Sequence, residues 1–332
     1  MLTSLLAAMP GLWTEALGGD SAAVVMYHRF GESQYPSTNI TIEQFEAHLE
    51  ELRNGEYAVL PLDEIVAKLK GGLALPERAV AITIDDAYRS VLTQALPRLK
   101  EAGFPFTLFV ATDAVDSRLK NILNWDEVRE IEAGGGYIGH HGASHPHMPR
   151  NSAERNKEDI ERASRRFIKE LGKRPGLFAY PYGESSLELE KMAREAGFDA
   201  ALGQHSGAMG PSTNLYYLPR FAMNEKYGDI ARFRLAVNTM ELPVLDITPI
   251  DSLIGDDNPP AIGFTVGPGQ KGLDRLTCFT SHAGEARIDR LGDSRIEVRI
   301  DEPFPRGRTR LNCTIPGDGG RWHWLGRQFF LP

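Results

Sequence analysis

Between residues 22 and 245, short apolar runs alternate with stretches whose apolar positions recur at helical spacing. Alternation of this kind predicts βα units built on a parallel sheet. The predicted strands are Val24–His28, Ala79–Ile84, Phe106–Ala111, Tyr137–Gly139, Gly176–Tyr180 and Asp199–Leu202. Between them, Thr41-Ile42-Glu43-Gln44 and Ser185-Ser186-Leu187-Glu188 read as capping boxes at helix starts. The helical pattern through Glu161–Leu171 ends at Gly172 and the one through Leu187–Ala196 ends at Gly197, where a helix end favours glycine. Six βα units fit an open doubly wound sheet or a closed barrel. No Gly-x-Gly-x-x-Gly follows the first strand, so a dinucleotide-binding fold has no support. The expectation is an α/β fold, a distorted and incomplete (β/α) barrel, with functional groups at the C-terminal ends of its strands.

The pattern changes near Asp246. Gly255-Asp256-Asp257-Asn258-Pro259-Pro260 reads as a loop, and short strands with turn signals follow at Ala261–Val266, Leu273–Ser281, Arg295–Ile300, Thr309–Ile315 and Trp322–Phe330. A small all-β sandwich is expected over residues 246–332. Its two cysteines, Cys278 and Cys313, lie in strand-like stretches. They either join facing strands in an oxidising compartment or remain buried thiols. Ahead of the barrel, residues 1–21 form a leader or an N-terminal helix. The apolar run there has no Lys or Arg before it and makes a poor secretory signal, which leaves export open.

Composition narrows the partners. With 42% hydrophobic and 25% charged residues the chain can bury an ordinary core. The net charge of -8 argues against nucleic acid, and no stretch is apolar enough to span a bilayer.

Four groups carry candidate chemistry. Asp85 and Asp86 end an apolar run, where adjacent carboxylates repel unless a cation or hydrogen bonds offset them; an N-cap is the structural alternative. Four of the nine histidines fall within residues 140–147. A helical turn there would let His141 and His145 converge on one ion, since i and i+4 share a face. Asp86, His141 and His145 together offer one oxygen and two nitrogens, with a coordination position left open as in catalytic sites. Tyr180-Pro181-Tyr182-Gly183 forms a turn after a strand, and Tyr27-His28 ends the first strand.

In this order, Thr83-Ile84-Asp85-Asp86, His141-x-x-x-His145-Pro146 and Tyr180-Pro181-Tyr182-Gly183 resemble the polysaccharide deacetylases of the NodB type, carbohydrate esterase family 4. The resemblance spans about residues 22–230 and implies a distorted barrel that removes N-acetyl groups from an amino-sugar polymer. It implies Asp85 as general base, and Asp86, His141 and His145 as ligands of a divalent metal: Zn2+, with Co2+, Ni2+ or Fe2+ as alternatives. The backbone N–H of Tyr182 would help hold the oxyanion. Three positions depart from the family pattern. Gly142 stands where Ser or Thr is usual, Ala179 stands where an arginine is usual, and no late Leu-x-His supplies an acid. Similar departures in the poly-N-acetylglucosamine branch assign the acid to His28, and Arg220 is the candidate replacement for the arginine, paired with Asp85. Competing readings are a metal-dependent hydrolase of another non-peptide amide or ester, and an inactive carbohydrate-binding homologue. The β-domain is expected to contact carbohydrate or to self-associate. Trp322, Trp324 and Phe329 are either sugar-stacking faces or sandwich core.

Overall fold

The structure, a computed structural model, describes residues 20–332. The leader or helix expected at the N-terminus lies outside the described residues, apart from Asp20 and Ser21. All six predicted strands of the first region form, as Ala22–Tyr27, Ala79–Asp85, Phe106–Val110, Gly136–His140, Leu177–Ala179 and Ala200–Leu202, hydrogen-bonded in parallel in that order.

Alternation along these strands decides what fills the interior. On Ala79–Asp85, Val80, Ile82 and Ile84 pack with the helices on the outer face. Ala79 and Ala81 join the inner cluster, with Ala22, Val24, Ala179, Ala200 and Leu202. Period two therefore sends Thr83 and Asp85 inward with the small residues. The sheet curls far enough for one segment to touch both edges. Leu218 bridges to Leu202, and Phe221–Ala222 pairs in parallel with Val25 and Met26. Arg220 sits between those two contacts.

The helices follow their capping chemistry. Ile42–Asn54 starts at Thr41 with the expected reciprocal box to Gln44, and Ala153–Leu171 ends at Gly172 in the left-handed conformation. At Leu187–Glu195 the cap is Ser186, whose side chain accepts from Leu189 N. The Ser185 to Glu188 box does not form, because the helix starts one residue later than that spacing requires. Among the described residues, no helix is long and apolar enough to cross a membrane.

The second sheet has eight strands and begins at Met240–Glu241, ahead of Asp246. It curls around its own core of Phe264, Ile296, Leu311 and Phe329, among others. Cys278 and Cys313 face each other across antiparallel strands and are joined as a disulfide. The strand Gly284–Leu291 had no sequence signal, because it is polar and largely exposed along its length. Phe329 is core, whereas Trp322 and Trp324 are half-buried.

This sheet is docked on the barrel. Trp324 meets Phe221 edge to face at 5.3 Å, and Met240 pairs in parallel with His323. Gln328 Nε2 donates to the carbonyls of Tyr182 and Gly183. Gly326 makes the close approach possible, since a Cβ there would stand 1.7 Å from the Ser206 carbonyl oxygen. Gly326→Val is therefore expected to cost about 3 kcal/mol, the upper end of ordinary overpacking. Thermal denaturation checks this; an unchanged melting temperature would mean that strand and loop separate freely.

Candidate metal and catalytic site

Because the strands are parallel, the residues that follow them gather at one end of the barrel. His28 follows the first strand, Asp86 the second, His141 the fourth, and Gln204 comes shortly after the sixth. Asp86, His141 and His145 converge, with one ligand atom of each within 4.8 Å of the others. Asp86 Oδ1 is 3.6 Å from His145 Nε2 and 3.9 Å from His141 Nε2. Ligands each about 2 Å from a shared ion stand roughly this far apart.

The histidines do not meet through the helical turn that their spacing suggested. Residues 141–147 form a bent loop, turned by Gly142 at φ 73° and His145 at φ 53°. Asp159 holds the loop by accepting from Ala143 N, Ser144 N and Ser144 Oγ. A Cβ at residue 142 would sit 2.9 Å from Asp159 Oδ2, which accounts for glycine at this position. Asp86 and Tyr182 are also left-handed, at φ 60° and 59°. Non-glycine residues held this way cost about 1–3 kcal/mol each and cluster where function fixes the backbone.

His141 is fully buried, and its Nδ1–H donates to the Ala179 carbonyl at 2.7 Å. That bond leaves Nε2 with its lone pair toward Asp86. Nε2 is buried and has no partner among the described residues, a condition that costs about 1–3 kcal/mol unless something fills it. Burial first, and then the neighbouring His145, push the imidazole down to about 4, so it stays neutral and able to ligate. The donor set and the orphaned nitrogen fit a divalent cation. The neighbouring His140 is a core residue: it packs against Phe167 and Phe198, and burial holds it near 3.

Asp85 and Arg220 are both fully buried. Arg220 donates from Nη1 to Asp85 Oδ1 at 2.6 Å and from Nη2 to Oδ2 at 2.8 Å. It also donates from Nε to the Gly203 carbonyl. Burial alone would raise the Asp85 carboxyl, but the Arg220 charge, helped by His141 and His28, holds it well below the usual carboxylate range. Gln204 Nε2 donates to Asp85 Oδ2 at 3.3 Å. Of the roughly four lone-pair positions on a carboxylate, one on Oδ1 stays open.

Above these residues lies a cleft of about 850 Å³, lined by His28, Asp86, His145, Tyr182 and Gln204. The second sheet closes one side with Ser281, Arg308, Arg310, Asn312 and Trp324. Tyr182 stacks on His147 at 4.0 Å and meets His145 edge to face at 4.5 Å. Sequence reasoning missed Gln204, Asp159 and the β-domain wall. The alternation of polar and apolar residues from Arg308 to Asn312 was the only signal for that wall.

Residues 73–201 match the family model described as polysaccharide deacetylase. The poly-beta-1,6-N-acetyl-D-glucosamine N-deacetylase of Staphylococcus aureus is 24% identical over 237 residues, covering 62% of this chain and 80% of that protein. Two solved structures share the fold. IcaB from Ammonifex degensii aligns at a TM-score of 0.60 with 24% identity, over 66% of this chain and 98% of its own. The Streptococcus pyogenes deacetylase PplD, solved with acetate, aligns at 0.61 with 18% identity, over 65% and 98%. About a third of this chain thus lies outside either structural match.

Proposed function

We propose that this chain, whose residues 73–201 match the polysaccharide deacetylase family model, is a metal-dependent hydrolase that removes N-acetyl groups from an amino-sugar polysaccharide. The observation that carries the metal dependence is the buried, partnerless Nε2 of His141 beside Asp86 and His145. A divalent cation at these three residues, Zn2+ by preference for such a ligand set, would polarise the acetamide carbonyl and acidify water.

The residues of the chain supply the rest. Asp85 accepts the proton of the attacking water at the open position on Oδ1. Arg220 keeps this carboxylate ionised, so the base is not lost to protonation, although its basicity falls in exchange. The Tyr182 turn offers its backbone N–H to the developing oxyanion. As the bond between the acetyl carbon and nitrogen breaks, His28 gives a proton to the departing amine, which otherwise leaves poorly. The products are acetate and the free amino sugar.

The test combines metal analysis of the purified protein with acetate release from N-acetylglucosamine oligomers, peptidoglycan and poly-N-acetylglucosamine. Bound metal together with acetate from at least one polymer is the expected result. Asp85→Asn is expected to keep the metal while kcat falls at least ~100-fold, the lower range for a general base. Wild-type kcat in that variant would remove Asp85 from the role.

A further inference from the structure

We propose that the β-domain wall of the cleft selects acetylated glycans that carry an anionic group, a carboxylate or a phosphate, close to the sugar being deacetylated. The proposal deepens the deacetylase reading and rests on it for the reaction, but the anion site can be tested by itself.

The strand Gly307–Pro316 forms part of this wall. Its odd residues Thr309, Leu311, Cys313 and Ile315 are buried. Period two turns Arg308, Arg310 and Asn312 to the opposite face, and all three line the cleft. Trp324, on the neighbouring strand, lines it as well and donates from Nε1 to Asn312 Oδ1 at 3.0 Å. An indole face and a wall of donors suit a sugar. Two guanidinium groups on one wall call for something more.

The charges around the cleft are unbalanced. Arg232, Arg308 and Arg310 line it, against Asp86 as the one carboxylate among the described lining residues. Asp86 belongs to the metal triad and is not free to compensate them. Arg232 donates to the carbonyls of Ala222 and Tyr227. Arg308 reaches the Tyr182 carbonyl at 3.4 Å and stands 3.7 Å from buried Glu184, which is also paired with His147. Arg310 is the odd one out. It is half-buried, and no carboxylate or carbonyl among the described residues meets its guanidinium. Burial first, and then the charge of Arg308, lower its proton affinity, so both circumstances oppose its charge.

The chain as a whole has 45 acidic and 37 basic residues, so a positive cleft runs against its background. A neutral N-acetylated polymer gives these arginines nothing to neutralise. A deacetylated polymer is worse, because its new ammonium groups are repelled by the wall. An anionic substituent would meet Arg310 in a charge-assisted, bidentate contact.

The experiment compares three acetylated oligosaccharides of equal length: a neutral N-acetylglucosamine oligomer, one carrying a carboxylate on alternate sugars, and one linked through phosphodiesters. Acetate release from wild type is expected to show kcat/KM about 10-fold higher or more for at least one anionic oligomer, as one charge-assisted contact supplies, and the advantage should shrink as salt is raised. Whichever anionic oligomer is preferred identifies the source of the charge. Arg310→Gln should bring the anionic-to-neutral ratio close to one, and Arg310→Lys should restore part of it. Equal kcat/KM on all three in wild type, or a preference that survives Arg310→Gln in a folded variant, overturns the proposal. If no oligomer yields acetate, the deacetylase reading fails, and calorimetric titration of the same oligomers then decides the anion site. Tighter anionic binding that is lost in Arg310→Gln supports it; equal binding by all three refutes it.

Discussion

Replacing His141 with alanine is expected to remove metal and turnover together. The three candidate ligands give a cation one oxygen and two nitrogens, and His141 is the only fully buried member. Its orientation is fixed from behind by the Ala179 carbonyl, so Nε2 presents its lone pair without rearrangement. Losing even the outer-shell partner of a ligating histidine typically costs roughly 10–100-fold in metal affinity, so losing the ligand should cost on the order of 1,000-fold or more. Two ligands remain in the variant, and both belong to residues held in left-handed backbone conformations that the rest of the fold must maintain. The measurement is metal content after dialysis, followed by acetate release with Zn2+ added back. Wild type stripped by a chelator should recover on adding Zn2+, and the variant should not. Stoichiometric metal in His141→Ala would show that the cation is held elsewhere. The contrast with Asp85→Asn, expected to lose kcat but not metal, separates a ligand from a base.

The parts of this molecule that were legible in the sequence are those where one physical signal dominates. Strands such as Ala79–Asp85 and Phe106–Val110 are buried on both faces and read as near-continuous apolar runs, broken only by Thr83 ahead of Asp85 in the first and by Thr107 in the second. The two-residue strands Ala58–Val59 and Phe221–Ala222 are too short to stand out by pattern, because backbone pairing with a neighbour already in place defines them. In the site, the residue types were visible while the geometry was not. The spacing of His141 and His145 suggested a helical turn, yet Gly142 and Asp159 shape the loop, and Asp159 is 17 positions beyond Gly142 along the chain. Gln204 had no signal, because a lone glutamine near a strand end is an ordinary surface residue until the sheet curls. Arg220 and Asp85 are 135 positions apart, and only closure of the barrel by the segment around Arg220 makes them neighbours.

That closure makes Arg220→Met the substitution with the largest expected effect on stability. Arg220 fills the interior among small residues, and its guanidinium donates to Asp85 twice, to the Gly203 carbonyl and to Thr83 Oγ1. Both partners are fully buried, so removing one leaves an uncompensated charge, a change that costs about 3–5 kcal/mol. The cost should depend on pH in a direction fixed by Asp85. In the wild type its carboxyl lies below the ordinary value of about 3.9, so the pair contributes stability above that value and loses it only as pH falls through the acid range. Without Arg220 the burial that opposes the charge dominates, and the folded-state value moves above the unfolded one. Asp85 then favours folding when protonated and opposes it as pH rises. The melting-temperature gap between wild type and Arg220→Met should therefore be widest near neutrality and narrow toward pH 4. Combining Arg220→Met with Asp85→Asn removes both charges, and the pair should be less destabilised than the sum of the two single variants, by a coupling in the range of about 0.5–3 kcal/mol seen for contacting residues. Strict additivity, with a gap that does not change with pH, would mean that the two side chains act independently and that closing the barrel does not depend on their pairing.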